Sequence, residues 1–514
     1  MIRAADGVLS RVTSAVVLRV LLFVALFSLA AVPPLDPDLW WHLANGRLMI
    51  AMGGWPHVDV YSFSAAGHPW IMHEWLADLG MYLAYRVGGL PLLVAIFAAV
   101  VVAGAGCLFI LLRAGGLHPT AAVGLTLVGA LAGSTAWGAR PQLLNLLFAG
   151  LLTCGLVRYR SGRLAAWWLP PFLWLWANLH SGFLVGVIIC VLFLAGEAID
   201  AWRTGTGMPR RRLRNLAWAI LAGLGLALVN PYGVDTILFP LGTLTSPLIQ
   251  NNIQEWASPD FHSLPGLLFE GVLFILLLGL ATGRVRARTS EWLIAVALLY
   301  LALASQRHMP LFMIGAAPLI GRCAQALLAL AGSLLPAASR RPAAAAALRA
   351  RTPGPGRPNS TVLGVLNLAL LIAVAFGMVA YRAMPALRPA DEATAISSSL
   401  PVAALDSLLA LKRPIRVFNY YDYGGYALWR LYPAGGRVFI DGRVEVYGAG
   451  IFSQYLAVNY LSGAWPDVVR RYQPDAILMP SGHPLVTLLS GDPSWQVLRR
   501  DPVATVFTRV GSTR

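Results

Sequence analysis

Charge is scarce in this sequence. Asp, Glu, Lys and Arg make up 12% of its 514 residues, against about 25% in soluble globular proteins. That shortage, with 57% hydrophobic residues and a mean hydropathy of +0.66, excludes a water-soluble globular chain and marks a polytopic membrane protein. Lysine is nearly absent, Lys412 being the sole example. Cysteine is sparse too: Cys107, Cys154, Cys190 and Cys323 each fall in an apolar run, so neither a disulfide framework nor a zinc-ligand spacing is present. The charge that does occur is lopsided, with a formal net value of +16. In a soluble chain that excess would point to nucleic acid. Here loops held on the cytoplasmic side by Arg are the competing source, and the placement of the Arg residues decides for them, so no nucleic-acid partner is expected.

Apolar stretches fall near residues 14–32, 90–112, 119–137, 141–157, 164–178, 182–200, 215–230, 265–282, 290–304, 310–332 and 360–381, which reads as about eleven spans. The first is expected to stay as an uncleaved helix, because Pro33-Pro34 stands where a cleavage site needs small, flexible residues. Residues 74–87 read as a separate interfacial helix. With a cytoplasmic N-terminus, the inside loops hold Arg113, Arg158, Arg160, Arg163, Arg203, Arg210, Arg211, Arg212, Arg214, Arg284, Arg286 and Arg288, and further Arg residues in 333–359. The short outside loops hold only Arg140 and Arg307, the asymmetry of the positive-inside rule.

The expected organisation is a transmembrane core over 1–332, a cytoplasmic Ala/Pro/Arg linker over 333–359, a last span over 360–384 and an extracytoplasmic domain over 385–514. The tail alternates apolar and polar residues. Arg416–Tyr420, Arg437–Asp441, Asp475–Met479 and Ala504–Arg509 read as strands, Leu405–Leu411 and Trp465–Tyr472 as helices. The fold class is thus an all-α polytopic membrane protein with a small C-terminal α/β domain.

This topology gathers the polar clusters on the outer side. Asp36-Pro-Asp38 follows the first span directly. A carboxylate there can serve as a general base or ligate a divalent cation, Mg²⁺ or Mn²⁺; equally, Asp-Pro-Asp is good turn and helix-capping chemistry. Trp40-Trp41 fits an interfacial belt or a sugar-stacking surface. His73 and Glu74 join the catalytic candidates, although Glu74 could simply cap the helix that follows. Arg140 and Arg307 suit a lipid phosphate or diphosphate, unless loop carboxylates pair with them. Trp41, His42, Gln142, His180, Glu255 and His308 complete the candidate substrate-binding set. His180 and His308 also have a plainer reading as structural histidines. In the tail, Asn419–Tyr426 and Asp441–Tyr447 match sugar recognition and ordinary strand–turn cores equally well.

The acidic motif Asp36-Pro-Asp38-Leu-Trp-Trp-His42, placed in the first outer loop of a long multi-span chain, resembles the GT-C superfamily of membrane glycosyltransferases over residues 10–330. The nearest likeness is to bacterial members akin to the protein O-mannosyltransferase and lipid A sugar transferase group. The resemblance implies an enzyme of the bacterial inner membrane. It would take a sugar from a polyprenyl-phosphate donor and pass it to a glycan, lipid or protein acceptor at the extracytoplasmic face, with the family's acidic residue falling on Asp36 or Asp38. Two departures stand out: Asp-Pro-Asp replaces the adjacent acidic pair of many relatives, and the tail is short beside that of oligosaccharyltransferases. The alternative from another class is a non-enzymatic transporter of a lipid-linked saccharide, which needs polar groups at membrane depth.

Overall fold

A computed structural model describes residues 12–244, 247–334 and 360–511, so most of the expected linker lies outside the described residues. Each apolar stretch read from the sequence contains helix. Among the described residues, six helices are long and apolar enough to cross a membrane: Trp75–Ala114, Pro141–Arg160, Phe183–Arg203, Leu264–Ala281, Ala317–Leu334 and Val362–Leu387. The protein is a multi-pass membrane protein. Ser14–Ala30, Pro119–Ala132 and Thr289–Ala304 are shorter apolar helices, and Leu169–Leu179 has only 11 residues, about half the length that spans a bilayer untilted.

Two elements position the candidate site. The helix Pro37–Met52 starts on Pro37, with Asp36 as its N-cap. The helix Trp75–Ala114 breaks at Gly88 and Gly89, where Gly89 has φ +65°. Its first part is therefore a separate segment, as the sequence indicated, before a long apolar run. These segments approach closely at Gly46, where a Cβ would lie 2.4 Å from the carbonyl oxygen of Asp78. No larger residue fits that crossing.

The tail forms a five-stranded sheet in the order β2-β1-β3-β5-β4. Its strands are β1 Arg416–Asn419, β2 Arg437–Val438, β3 Ala476–Pro480, β4 Trp495–Arg500 and β5 Ala504–Arg509. β2, β1 and β3 run parallel, while β5 and β4 are antiparallel. The short parallel strands are buried, as both-face coverage requires. The edge strand β4, Trp-Gln-Val-Leu-Arg-Arg, was not among the expected strands. Its exposed, Arg-bearing pattern protects an edge and hides it from an apolar-alternation test.

The sheet domain is seated on the Asp-bearing helix. A Cβ on Gly425 would lie 2.2 Å from the Pro37 carbonyl. Trp40 is buried edge-on against Tyr426, with ring centroids 4.7 Å apart, so it serves this junction and neither a membrane belt nor a sugar platform. Arg47 lies over the Trp429 ring at 4.0 Å and donates to the Trp429 carbonyl. A second junction buries Arg443 completely. It pairs with Asp441 at 2.7 Å and with Asp59 of the first loop at 2.9 Å, and packs over Tyr61 and Trp70.

Candidate active site

A cavity of about 580 Å³ opens where the helix bundle meets the tail. Asp36, Asp38, Trp41, His42, His73, Glu74, Arg140, Gln142, His180, Glu255, Arg307 and His308 all line it. These twelve candidate residues thus meet at one place, although they come from six separate stretches of chain.

The two aspartates differ in what they do. Asp36 accepts the Asp38 backbone N–H at 2.9 Å, the capping role anticipated for an Asp-Pro-Asp turn. Its other oxygen faces the Arg140 Nε at 3.3 Å. Asp38 accepts from the Trp41 indole at 3.0 Å and sits 3.4 Å from the Arg140 Nη1, with 30% of its side chain still exposed. Burial, then the neighbouring Asp36 carboxylate, push the Asp38 carboxyl up to about 7, against the pull of Arg140. Gly442 of the tail presses on this group. A Cβ there would lie 2.1 Å from the Asp38 Oδ1.

Arg140 also pairs with Glu255. Three carboxylates therefore converge on this one guanidinium, and burial is outweighed so that its pKa rises. The pairing alternative describes Arg140 as the structure stands. Arg307 is different. Its guanidinium lies over the Trp256 ring at 4.5 Å, and among the described residues no carboxylate lies within ion-pair distance. Burial works against its charge, yet a guanidinium stays protonated in proteins. The adjoining His308 is pushed down to about 4 by burial and by Arg307, so it is neutral at pH 7.

Glu74 occupies an N-cap position but makes no side-chain cap bond. Its carboxylate turns instead into a histidine cluster. His180 Nε2 lies 3.0 Å and His73 Nε2 3.4 Å from one oxygen, and His42 Nδ1 lies 3.6 Å from the other. Burial opposes the charge of Glu74, but His180 and His73 outweigh it and hold the carboxyl well below its usual range. The His180 tautomer is fixed. Its Nδ1 accepts from the Gly182 N–H at 2.7 Å, so the proton is on Nε2 and is donated to Glu74. His180 itself is lowered by burial.

Behind this cluster stands Asp78, which the sequence reading did not single out. It bonds His42 Nδ1 at 2.6 Å and accepts from Asn45 at 2.8 Å. Burial opposes a charged His42, while Asp78 and then Glu74 favour it strongly enough to raise its pKa. The available signal was the i,i+4 spacing of Glu74 and Asp78 on one helix face.

The tail contributes Tyr421, Asp422, Gly442, Val444 and Glu445 to the cavity wall. Its two marked motifs split between the alternatives. Asn419 is structural, donating to the Ile440 carbonyl and accepting from the Phe439 N–H, as is the Asp441–Arg443 pair. The residues lying between and beyond them face the cavity.

The fold, a helical bundle closed at one end by a small α/β unit, is similar to that of solved GT-C glycosyltransferases. Three solved structures carry the likeness. ArnT from Cupriavidus metallidurans, solved with undecaprenyl phosphate, is 17% identical, with 97% of this chain and 98% of that one covered and a TM-score of 0.51. The archaeal oligosaccharyltransferase AglB from Archaeoglobus fulgidus, in complex with an inhibitory peptide and a dolichol-phosphate, is 12% identical, covering 90% and 69% with a TM-score of 0.54. The arabinofuranosyltransferase AftD from Mycobacteria is 15% identical, covering 97% of this chain but 40% of its own length, with a TM-score of 0.52. No family model and no curated protein matches the sequence.

Proposed function

We propose that this protein is a membrane glycosyltransferase that moves a sugar from a polyprenyl-phosphate donor to an acceptor at the extracytoplasmic face of a bacterial inner membrane, with a core of about eleven spans. One observation carries the reading: Asp38, a partly exposed carboxylate with a pKa near neutrality, shares a cavity with the carboxylate-free Arg307. Asp38 takes the proton of the acceptor hydroxyl as its oxygen bonds to the anomeric carbon. The bond from that carbon to the donor phosphate breaks, and Arg307 stabilises the charge that develops on the departing phosphate. Asp36 and Arg140 position Asp38. Asp38 is the more exposed of the two aspartates, 30% of its side chain against 17% for Asp36, so Asp38 is taken as the base.

A transporter would call for polar groups spread through membrane depth, whereas the candidates here line one cavity beside the tail. The test is mass spectrometry of lipid-linked sugars that copurify, followed by transfer assays with that donor. Asp38→Asn is expected to lower transfer by about 10²–10⁴-fold in protein that still folds. Unaltered transfer by a folded Asp38→Asn variant would sink the assignment.

A further inference from the structure

We propose that His42, Glu74 and Asp78 form a binding site for one divalent transition-metal cation in the wall of the cavity. All three are buried, and one donor atom from each lies within 4.8 Å of the others. First-row ions hold nitrogen and oxygen at about 2.0–2.2 Å, so neighbouring donors around one ion stand about 3–3.5 Å apart. The His42 Nδ1 is 2.6 Å from Asp78 Oδ1 and 3.6 Å from Glu74 Oε2, which brackets that spacing.

A cation here would take the place of the proton that His42 Nδ1 and Asp78 Oδ1 share at 2.6 Å. Asn45 engages Asp78 Oδ2, and His180 engages Glu74 Oε1. The two remaining oxygens both face His42. Outer partners that orient carboxylates in this way are what metal sites use to fix their ligands. His180 is excluded as a ligand, because its Nδ1 accepts from the Gly182 N–H and Nε2 must keep its proton.

The charge balance of the cavity points the same way. Asp36, Asp38, Glu74, Glu255, Asp422 and Glu445 line it against Arg140 and Arg307. The Asp36–Asp38 pair, which the sequence offers as a general base or a cation ligand, has other close partners. Asp36 is bonded to the Asp38 N–H and Arg140, and Asp38 to Trp41 and Arg140. An imidazole ligand favours Mn²⁺ or Zn²⁺ over Mg²⁺.

The test uses the full-length protein, stripped with a chelator and titrated with Mn²⁺. The wild type is expected to bind one equivalent, with nitrogen modulation from the His42 imidazole in pulsed EPR and weaker competition from Mg²⁺. Asp78→Asn and His42→Ala each weaken binding by about tenfold or more, while Asp38→Asn leaves it nearly unchanged, with melting temperatures recorded alongside. No binding by the wild type, binding without nitrogen modulation, or unchanged binding in both variants overturns the site. The EPR measurement decides even where a variant does not fold. No sugar transfer is read, so this outcome and that of the glycosyltransferase reading are independent.

Discussion

The helix Leu144–Arg160 joins two ionic clusters of opposite character, about 25 Å apart along its axis. Near its start, Arg140 is met by three carboxylates. At its end, Arg160 reaches Glu197 at 3.3 Å and Glu291 at 3.4 Å. Arg288 adds a second contact to Glu197, Arg322 a second to Glu291, and Ser290 donates to Glu197 at 2.9 Å. There two carboxylates are shared among three guanidiniums, and none of these groups lines the large cavity. At the start of the helix the ratio is reversed, the carboxylates line the cavity, and among the described residues no carboxylate lies within ion-pair distance of Arg307. A saturated cluster with nowhere for a ligand holds helices together. An unbalanced one around a cavity can bind and react. Charge count alone does not separate them; stoichiometry and space do.

The sharpest way to break this contrast is to remove one member from each cluster. Beside the Asp38→Asn loss already described, Arg307→Ala is expected to lower transfer by about 10²–10³-fold, as removal of a transition-state donor does, with little change in melting temperature. Unchanged transfer would return Arg307 to a structural role. Glu197→Gln should act on stability instead. Glu197 is fully buried, and stripping one partner from a buried ion pair costs about 3–5 kcal/mol, read as a lower melting temperature in detergent. A smaller effect is expected from Gly442→Ala, whose methyl group must displace Asp38. Misplacement by about 1 Å costs about 10²-fold in rate while leaving the fold intact.

The smallest effect is that of pH. Asp38 works as a base only when ionised, and its carboxyl is pushed up to about 7. Transfer should therefore fall as pH drops through about 7, by about tenfold per unit below it, and level off above. Asp38→Asn should abolish that step. A wild-type profile flat from pH 5 to 8 would contradict the assignment.

Much of the Arg140 cluster was legible in the sequence because membrane proteins make polarity rare. Asp36, Glu74, Arg140 and Arg307 stood out against apolar surroundings, and the positive-inside rule made two Arg residues anomalous. The carboxylate partners of Arg160 were missed for a related reason. Glu197 and Glu291 lie inside helices, whereas the Arg count examined loops. Asp78 was overlooked inside a long helix for the same cause. The tail's share of the cavity could not be read at all. Nothing in Asp441–Tyr447 says that Gly442 will rest on Asp38, some four hundred residues earlier, because that proximity is set by the sheet's seating on Trp40 and Pro37. The Arg443 junction, likewise, required knowing that Asp59 would cross to it.

That junction has a consequence for biosynthesis. A chain made from its N-terminus presents Asp38 and Glu74 early, yet Gly425, Gly442 and Arg443 emerge only near the end. Until then Asp59 has no guanidinium, and the Asp-bearing helix lacks the surface that buries Trp40. Folding units generally form in order of synthesis, but this cavity joins the first and last of them. Until the tail is made, the cavity lacks the wall that Tyr421, Asp422, Gly442, Val444 and Glu445 supply.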